Sequence, residues 1–154
     1  MAQGQGVSVT GGCQCGAVRY RLSAVPTRTS LCHCRMCQKA SGNYFQAFTG
    51  VERGQFTWTR GSPGTFRSSE LIERDFCRDC GTPLTYRPAD ADRVSVTIGS
   101  LDDPGQVQAE CQYGMESKVV DLAALAGLPS LTTEQWSTPE RLAKLASRQH
   151  PDHE

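Results

Sequence analysis

The sequence predicts a mainly β domain of short strands with few, short helices. Apolar and polar residues alternate over short runs that end at Gly, Pro, Asp or Ser, the pattern of strands with one buried face. Helical spacing is confined to one brief central stretch and the C-terminal tail. Seven of the eight cysteines sit in three tight sets, and closely spaced cysteines in a small chain point to metal ligation.

The strands follow in order. "VSVT" alternates and stops at Gly11 and Gly12. In "AVRYRLSA", Val18, Tyr20 and Leu22 share one face, with Arg19 and Arg21 on the other, as the two-residue period of a strand requires. "NYFQAFTGV", "QFTWTRG" and "TFRSS" come next, broken by "RGQ" and "GSPG". "LIERDFC", "PLTYRP" and "RVSVTIGSL" complete the central part. The last alternates through Val94, Val96 and Ile98 and halts at "DDPG", a strong turn signal. One short helical turn is expected in "CRMCQKAS", closed by Gly42. A second helix is expected in "STPERLAKLASRQ", where Ser137 or Thr138 caps, Pro139 fits the first turn and Leu142 and Leu145 share a face. "DLAALAGLPSLTTEQW" fits neither period cleanly, and "HPDHE" reads as a frayed end. With no repeat and no long linker, the chain divides into a lead-in (1–10), one domain (11–136) and a C-terminal helix and tail (137–154).

Composition narrows the function. The chain has 154 residues, 38% hydrophobic and 21% charged, an ordinary single globular domain. Formal net charge is zero, so no global basic field exists to grip nucleic acid or an anionic membrane. No run approaches the roughly 20 apolar residues of a membrane helix. "MAQGQGVSV" lacks the charged leader and apolar core of a secretory signal. A cytoplasmic protein is expected, and there thiols stay reduced, so the cysteines are better read as metal ligands than as a disulfide framework.

The sets are Cys13 and Cys15 in "GGCQCG", Cys32, Cys34 and Cys37 in "CHCRMC", and Cys77 and Cys80 in "FCRDCG". A C-x-x-C turn brings two sulfurs onto one ion, and a C-x-C unit does the same because residues two apart on an extended chain point the same way. Thiolate-rich sites favour zinc, which takes four ligands in a tetrahedron; an iron–sulfur cluster is the lesser alternative. Two pairs close one four-sulfur site and leave the triplet with a vacant position. Closed zinc sites are structural, whereas three protein ligands and an open position are the catalytic arrangement. His33 or the isolated Cys111 could fill that vacancy; His150 and His153 lie in the tail and are expected to be solvent-exposed.

"GGCQCGAVRY", "CHCRMCQKASG", "RDFCRDCGTPLTY", "GSLDDP" and the later "QYGMESK" together resemble the glutathione-dependent formaldehyde-activating enzyme family, from about Gly11 to about Leu131. The resemblance implies a β-tent fold of several small antiparallel sheets built around zinc. It implies that Cys13, Cys15, Cys77 and Cys80 hold a structural zinc and that Cys32, Cys34 and Cys37 hold a second, catalytic one, giving two Zn²⁺ per chain. It implies a carbon–sulfur lyase acting on thiol/aldehyde adducts, in the named case glutathione plus formaldehyde to S-hydroxymethylglutathione. The chain departs from the family where many members carry a tryptophan, reading Val119, Val120 and Asp121, and where others carry histidine–isoleucine, reading "CQYGM".

A small-molecule thiol or aldehyde is thus the expected partner, with a homodimer one option for assembly. Glutathione carries two carboxylates, and Arg35, Lys39 and Lys118 are the candidate cations for them. Arg74 is expected to brace a sheet. Tyr44, Phe45 and Trp58 are expected to pack in the core, and Glu110 and Glu116 to be solvated. Two other readings compete: a non-catalytic zinc-stabilised binding module, and a thiol redox protein using Cys34 and Cys37.

Overall fold

The structure, a computed structural model, describes residues 8–153. Most of the expected lead-in, including Val7 of "VSVT", lies outside the described residues. The strands in chain order are β1 (Val9–Gly12), β2 (Arg19–Leu22), β3 (Thr27–Cys32), β4 (Gln46–Glu52), β5 (Phe56–Arg60), β6 (Gly64–Arg67), β7 (Ile72–Phe76), β8 (Pro83–Pro88), β9 (Arg93–Thr97) and β10 (Cys111–Tyr113). The α-helices are short: α1 (Arg35–Ser41), α2 (Leu122–Leu125), α3 (Thr133–Trp136) and α4 (Pro139–Leu142). No helix among them is long and apolar enough to cross a membrane.

Among the described residues two sheets result, a small one ordered β1-β2-β5 and a larger one ordered β10-β3-β4-β9-β8-β7-β6. The mainly β expectation holds, with few short helices. Every strand pair is antiparallel except β10 with β3, which runs parallel and sets Cys111 opposite Ser30 and Tyr113 opposite Cys32. No strand is expected at "CQY" from the sequence, because three exposed residues carry no alternation.

The core lies between the sheets. Tyr20, Leu22, Leu84, Val94 and Val96 are almost fully buried. Tyr20 stacks on Phe56 at 5.5 Å between ring centroids, and Phe56 meets Trp58 edge-on at 4.7 Å. Trp58 thus packs as expected, whereas Tyr44 is exposed. Arg19 departs from the face assigned by alternation: it is buried, and its Nη1 donates to the Asp102 carboxylate at 2.8 Å. A buried guanidinium is tolerable because this carboxylate pairs with it.

Asp75 fastens the far end of the large sheet. Its carboxylate accepts hydrogen bonds from Thr65 of β6 (2.7 Å) and from Thr85 and Arg87 of β8 (2.5 and 2.6 Å). Burial alone would raise its pKa, but Arg87, Thr85 and Thr65 hold the carboxyl below the usual aspartate range.

The tail is less helical than expected. Only Pro139–Leu142 forms α4, capped by Thr138, whose Oγ1 accepts from Arg141 N. The tail is docked at His150 rather than frayed there: His150 N donates to Gln14 O at 2.7 Å, and Glu154 lies outside the described residues. A Cβ on Gly16 would run into the His150 ring. His150 is therefore half-buried rather than solvent-exposed.

Candidate metal centres and cavity

The β1–β2 and β7–β8 loops each carry one cysteine pair, and the fold brings the loops together. The Sγ atoms of Cys13, Cys15, Cys77 and Cys80 all lie within 4.8 Å of one another. Cys15 Sγ stands 3.6 Å from Cys13 Sγ and 3.7 Å from Cys77 Sγ. Four sulfurs each about 2.3 Å from a central zinc would be about 3.8 Å apart, so this donor set fits a tetrahedral ion. Val18 N donates to Cys13 Sγ at 3.2 Å, and Thr82 Oγ1 meets Cys80 Sγ at 3.2 Å. Burial opposes ionisation of Cys80, but hydrogen bonds from Thr82 overcome it and draw the thiol down to about 6.

The second cluster forms where β3 gives way to α1. Cys32 ends the strand, Cys34 is the helix N-cap and Cys37 lies in the first turn. Their sulfurs also fall within 4.8 Å of one another. Cys37 N donates to Cys34 Sγ at 3.4 Å, so the cap that starts the helix also aims a sulfur into the cluster. Hydrogen bonding from Cys37 draws the Cys32 thiol down to about 5; burial opposes this and the Arg74 charge assists it. The same bond keeps the proton on Cys37, whose thiol is pushed up.

The late block "QYGMESK" buttresses this cluster. His33 N donates to Tyr113 O at 2.8 Å, and His33 Nε2 pairs with Gln112 Oε1 at 2.9 Å. Gln38 Nε2 donates to both His33 O (2.7 Å) and Ser117 O (2.9 Å). Gly114 passes so close to Cys34 that a Cβ there would stand 2.6 Å from Cys34 N, and its φ is +65°. Only glycine meets both conditions without strain.

The three sulfurs open onto a cavity of about 510 Å³, within the range of small-molecule sites. Phe48, Tyr86 and Tyr113 supply aromatic wall, and Arg28, Arg74 and Arg93 supply cations. Arg28 occupies the left-handed region at φ 59°, inside an irregularity of β3 between Thr27 and Ser30. Arg74 Nη2 donates to Cys37 Sγ at 3.3 Å and its Nε to Ser68 Oγ at 3.2 Å, while the guanidinium lies over the Tyr86 ring at 5.1 Å.

The structure places the other candidates as follows. His33 is fully buried, pairs with Gln112 and is not part of the cluster. Cys111 is exposed on the cavity wall, also outside it. Arg35, Lys39 and Lys118 do not line the cavity. Arg35 Nη1 instead bonds Gln38 Oε1 at 3.0 Å, and Lys118 sits 3.9 Å from Asp121. Glu110 lines the cavity and Glu116 does not. Sequence reasoning missed Arg28, Arg93, Gln38 and Gln112 and gave Arg74 only a bracing role. One signal for Arg74 was present: it falls between Ile72 and Phe76 on the same face of β7.

A family model described as glutathione-dependent formaldehyde-activating enzyme matches residues 8–117. The chain belongs to this family. Over 76 residues it is 30% identical to a protein of Schizosaccharomyces pombe named uncharacterized lyase C29B12.13, a stretch covering 49% of this chain and 55% of that one. The chain thus spans about half the length of this curated relative. Its fold is similar to the crystal structure of a Rhodobacter sphaeroides protein, a structural genomics target, with a TM-score of 0.56 and 18% identity over 67% of this chain and 98% of the other. Both cysteine clusters of the family member described here, and the turns that carry them, lie inside the matched residues.

Proposed function

We propose that the protein is a zinc-dependent carbon–sulfur lyase that joins a thiol to an aldehyde, or separates them, at the three-cysteine cluster. Glutathione and formaldehyde are the leading pair, and a cytoplasmic setting would keep the thiols available. In the forward direction the thiol sulfur bonds to the carbonyl carbon, the carbon–oxygen π bond opens, and the thiol proton ends on the oxygen. The single observation behind this reading is a set of three sulfurs, joined by no fourth donor among the described residues, at a small-molecule cavity.

Cys32, Cys34 and Cys37 would hold one zinc; Cys13, Cys15, Cys77 and Cys80 would hold a second, structural one. Zinc held by three thiolates supplies an exchangeable fourth position and a Lewis acid that favours a soft anionic ligand. The chain's own residues do the rest. Phe48, Tyr86 and Tyr113 would give the substrate an aromatic wall, and Arg28 and Arg93 offer guanidinium groups for its carboxylates. Arg35, Lys39 and Lys118 would act from outside the lining.

The test is the rate of S-hydroxymethylglutathione formation by zinc-loaded protein, measured against the unaided reaction. A rate well above background, abolished in Cys37→Ser as zinc falls from two to one per chain, is the expected result. A protein carrying two zincs that adds nothing to the background rate for any thiol–aldehyde pair would end the proposal.

A further inference from the structure

The Arg74 guanidinium is buried, with 8% of the residue exposed. Burying a cation is unfavourable unless an anion answers it. Among the described residues no carboxylate forms an ion pair with Arg74. Its neighbour Asp75 faces the other side of the strand and is engaged by Arg87. Nε is held by the neutral Ser68 hydroxyl, and the Tyr86 ring receives the face of the guanidinium. The remaining contact, from Nη2, is to Cys37 Sγ. The counter-charge for this arginine is therefore the sulfur cluster itself.

We propose that Arg74 is the positioning residue that lets the three-cysteine centre accept an anionic fourth ligand; this rests on the functional reading above. Three thiolates around a divalent metal leave a net charge of about −1. Adding a thiolate would take it to about −2, in a cavity where like charges repel more strongly than in water. The guanidinium restores one unit of positive charge at hydrogen-bond distance. A neutral ligand adds no charge and gains little from Arg74. The residue thus selects the class of donor, an anionic sulfur over a neutral nitrogen, rather than holding the metal. Ser68 and Tyr86 fix the guanidinium so that the N–H points at Cys37 without reorganisation when the ligand arrives.

The experiment uses full-length protein loaded with Co²⁺ at both clusters, whose thiolate-to-metal absorption reports each centre. Wild type, Arg74→Met and Arg74→Lys are titrated with 2-mercaptoethanol, an anionic donor once bound, and with imidazole, a neutral one. Arg74→Met should bind 2-mercaptoethanol at least tenfold more weakly and imidazole within about twofold of wild type. Arg74→Lys should recover much of the thiolate affinity, because it keeps the charge without the planar fork. The four-cysteine bands and the melting temperature report that the variants are folded. Equal weakening for both probes, or no change for either, would overturn the proposal, and so would an Arg74→Lys variant no better than Arg74→Met. Wild type that binds neither probe would remove both this inference and the open-site reading. Selective thiolate binding in a protein without lyase activity would sustain the inference and remove only the reaction.

Discussion

The two cysteine clusters are built from the same donor and differ in what surrounds them. Cys13, Cys15, Cys77 and Cys80 are contributed by two hairpin loops that close on each other, and Cys13 and Cys77 are also part of the hydrophobic core. Cys32, Cys34 and Cys37 come from one continuous strand–helix junction that faces a cavity and a buried arginine. The first cluster joins segments 62 positions apart, as the contact between Cys15 and Cys77 records. A metal bound there would tie the small sheet to the large one. The second cluster joins residues already neighbours in the chain, so a metal bound there would have little folding to do and, on the function proposed above, would be free for chemistry.

The largest effect should come from removing a sulfur at each centre in turn. Cys80→Ser should remove the cooperative thermal transition, because binding energy at a closed structural site is folding energy, on the order of 10 kcal/mol. Cys37→Ser should leave a folded protein with one metal per chain. Melting curves and metal content check both, and two variants that unfold alike would erase the distinction between the centres.

A smaller effect is expected on β7, the strand that carries Arg74 and leads into Cys77. Asp75→Ala leaves Arg87 without its main partner and should cost about 3–5 kcal/mol, read from denaturant midpoints. The pH dependence has a defined sign. The folded pKa of Asp75 is depressed, so its contribution is present above the unfolded value of about 3.9 and is lost as pH falls through the folded one. Asp75→Asn should therefore show a flatter stability profile than wild type across that acid window. An equally steep profile would mean that other carboxylates carry the dependence.

The smallest effect should be the most selective. Gly114→Ala puts a Cβ against Cys34 N at a positive φ, a strain of about 1–3 kcal/mol. It should weaken metal binding at the three-cysteine cluster and leave the four-cysteine cluster unchanged, as measured by competition with a chelator. Weakening at both would show that the late block supports the whole fold rather than one site.

Much of the fold was legible because its signals are local. Val18, Tyr20 and Leu22 alternate and are buried together, Val94 and Val96 likewise, and Gly42 ends α1 in the left-handed conformation where a helix stop was expected. Arg19 was misplaced because a pairing with Asp102, 83 positions away, outweighs the alternation rule. The strand β10 was missed because three exposed residues become a strand only by lying against β3. Arg35, Lys39 and Lys118 looked promising by closeness in sequence, yet the cations at the cavity are Arg28, Arg74 and Arg93, brought there from three different strands.

By itself the sequence determined the mainly β class and the division of seven cysteines into two C-x-C units and two C-x-x-C turns, since spacing along an extended or turning backbone decides which sulfurs can point together. Spacing left open which pair meets which, and the resemblance implied the grouping of Cys13 and Cys15 with Cys77 and Cys80 that the structure places together; only the tertiary structure decided that His33 pairs with Gln112 and that a buried arginine reaches Cys37 across 37 positions. Those contacts depend on how the sheets stack. Burial and charge pairing between remote segments set that stacking, and no local pattern encodes it.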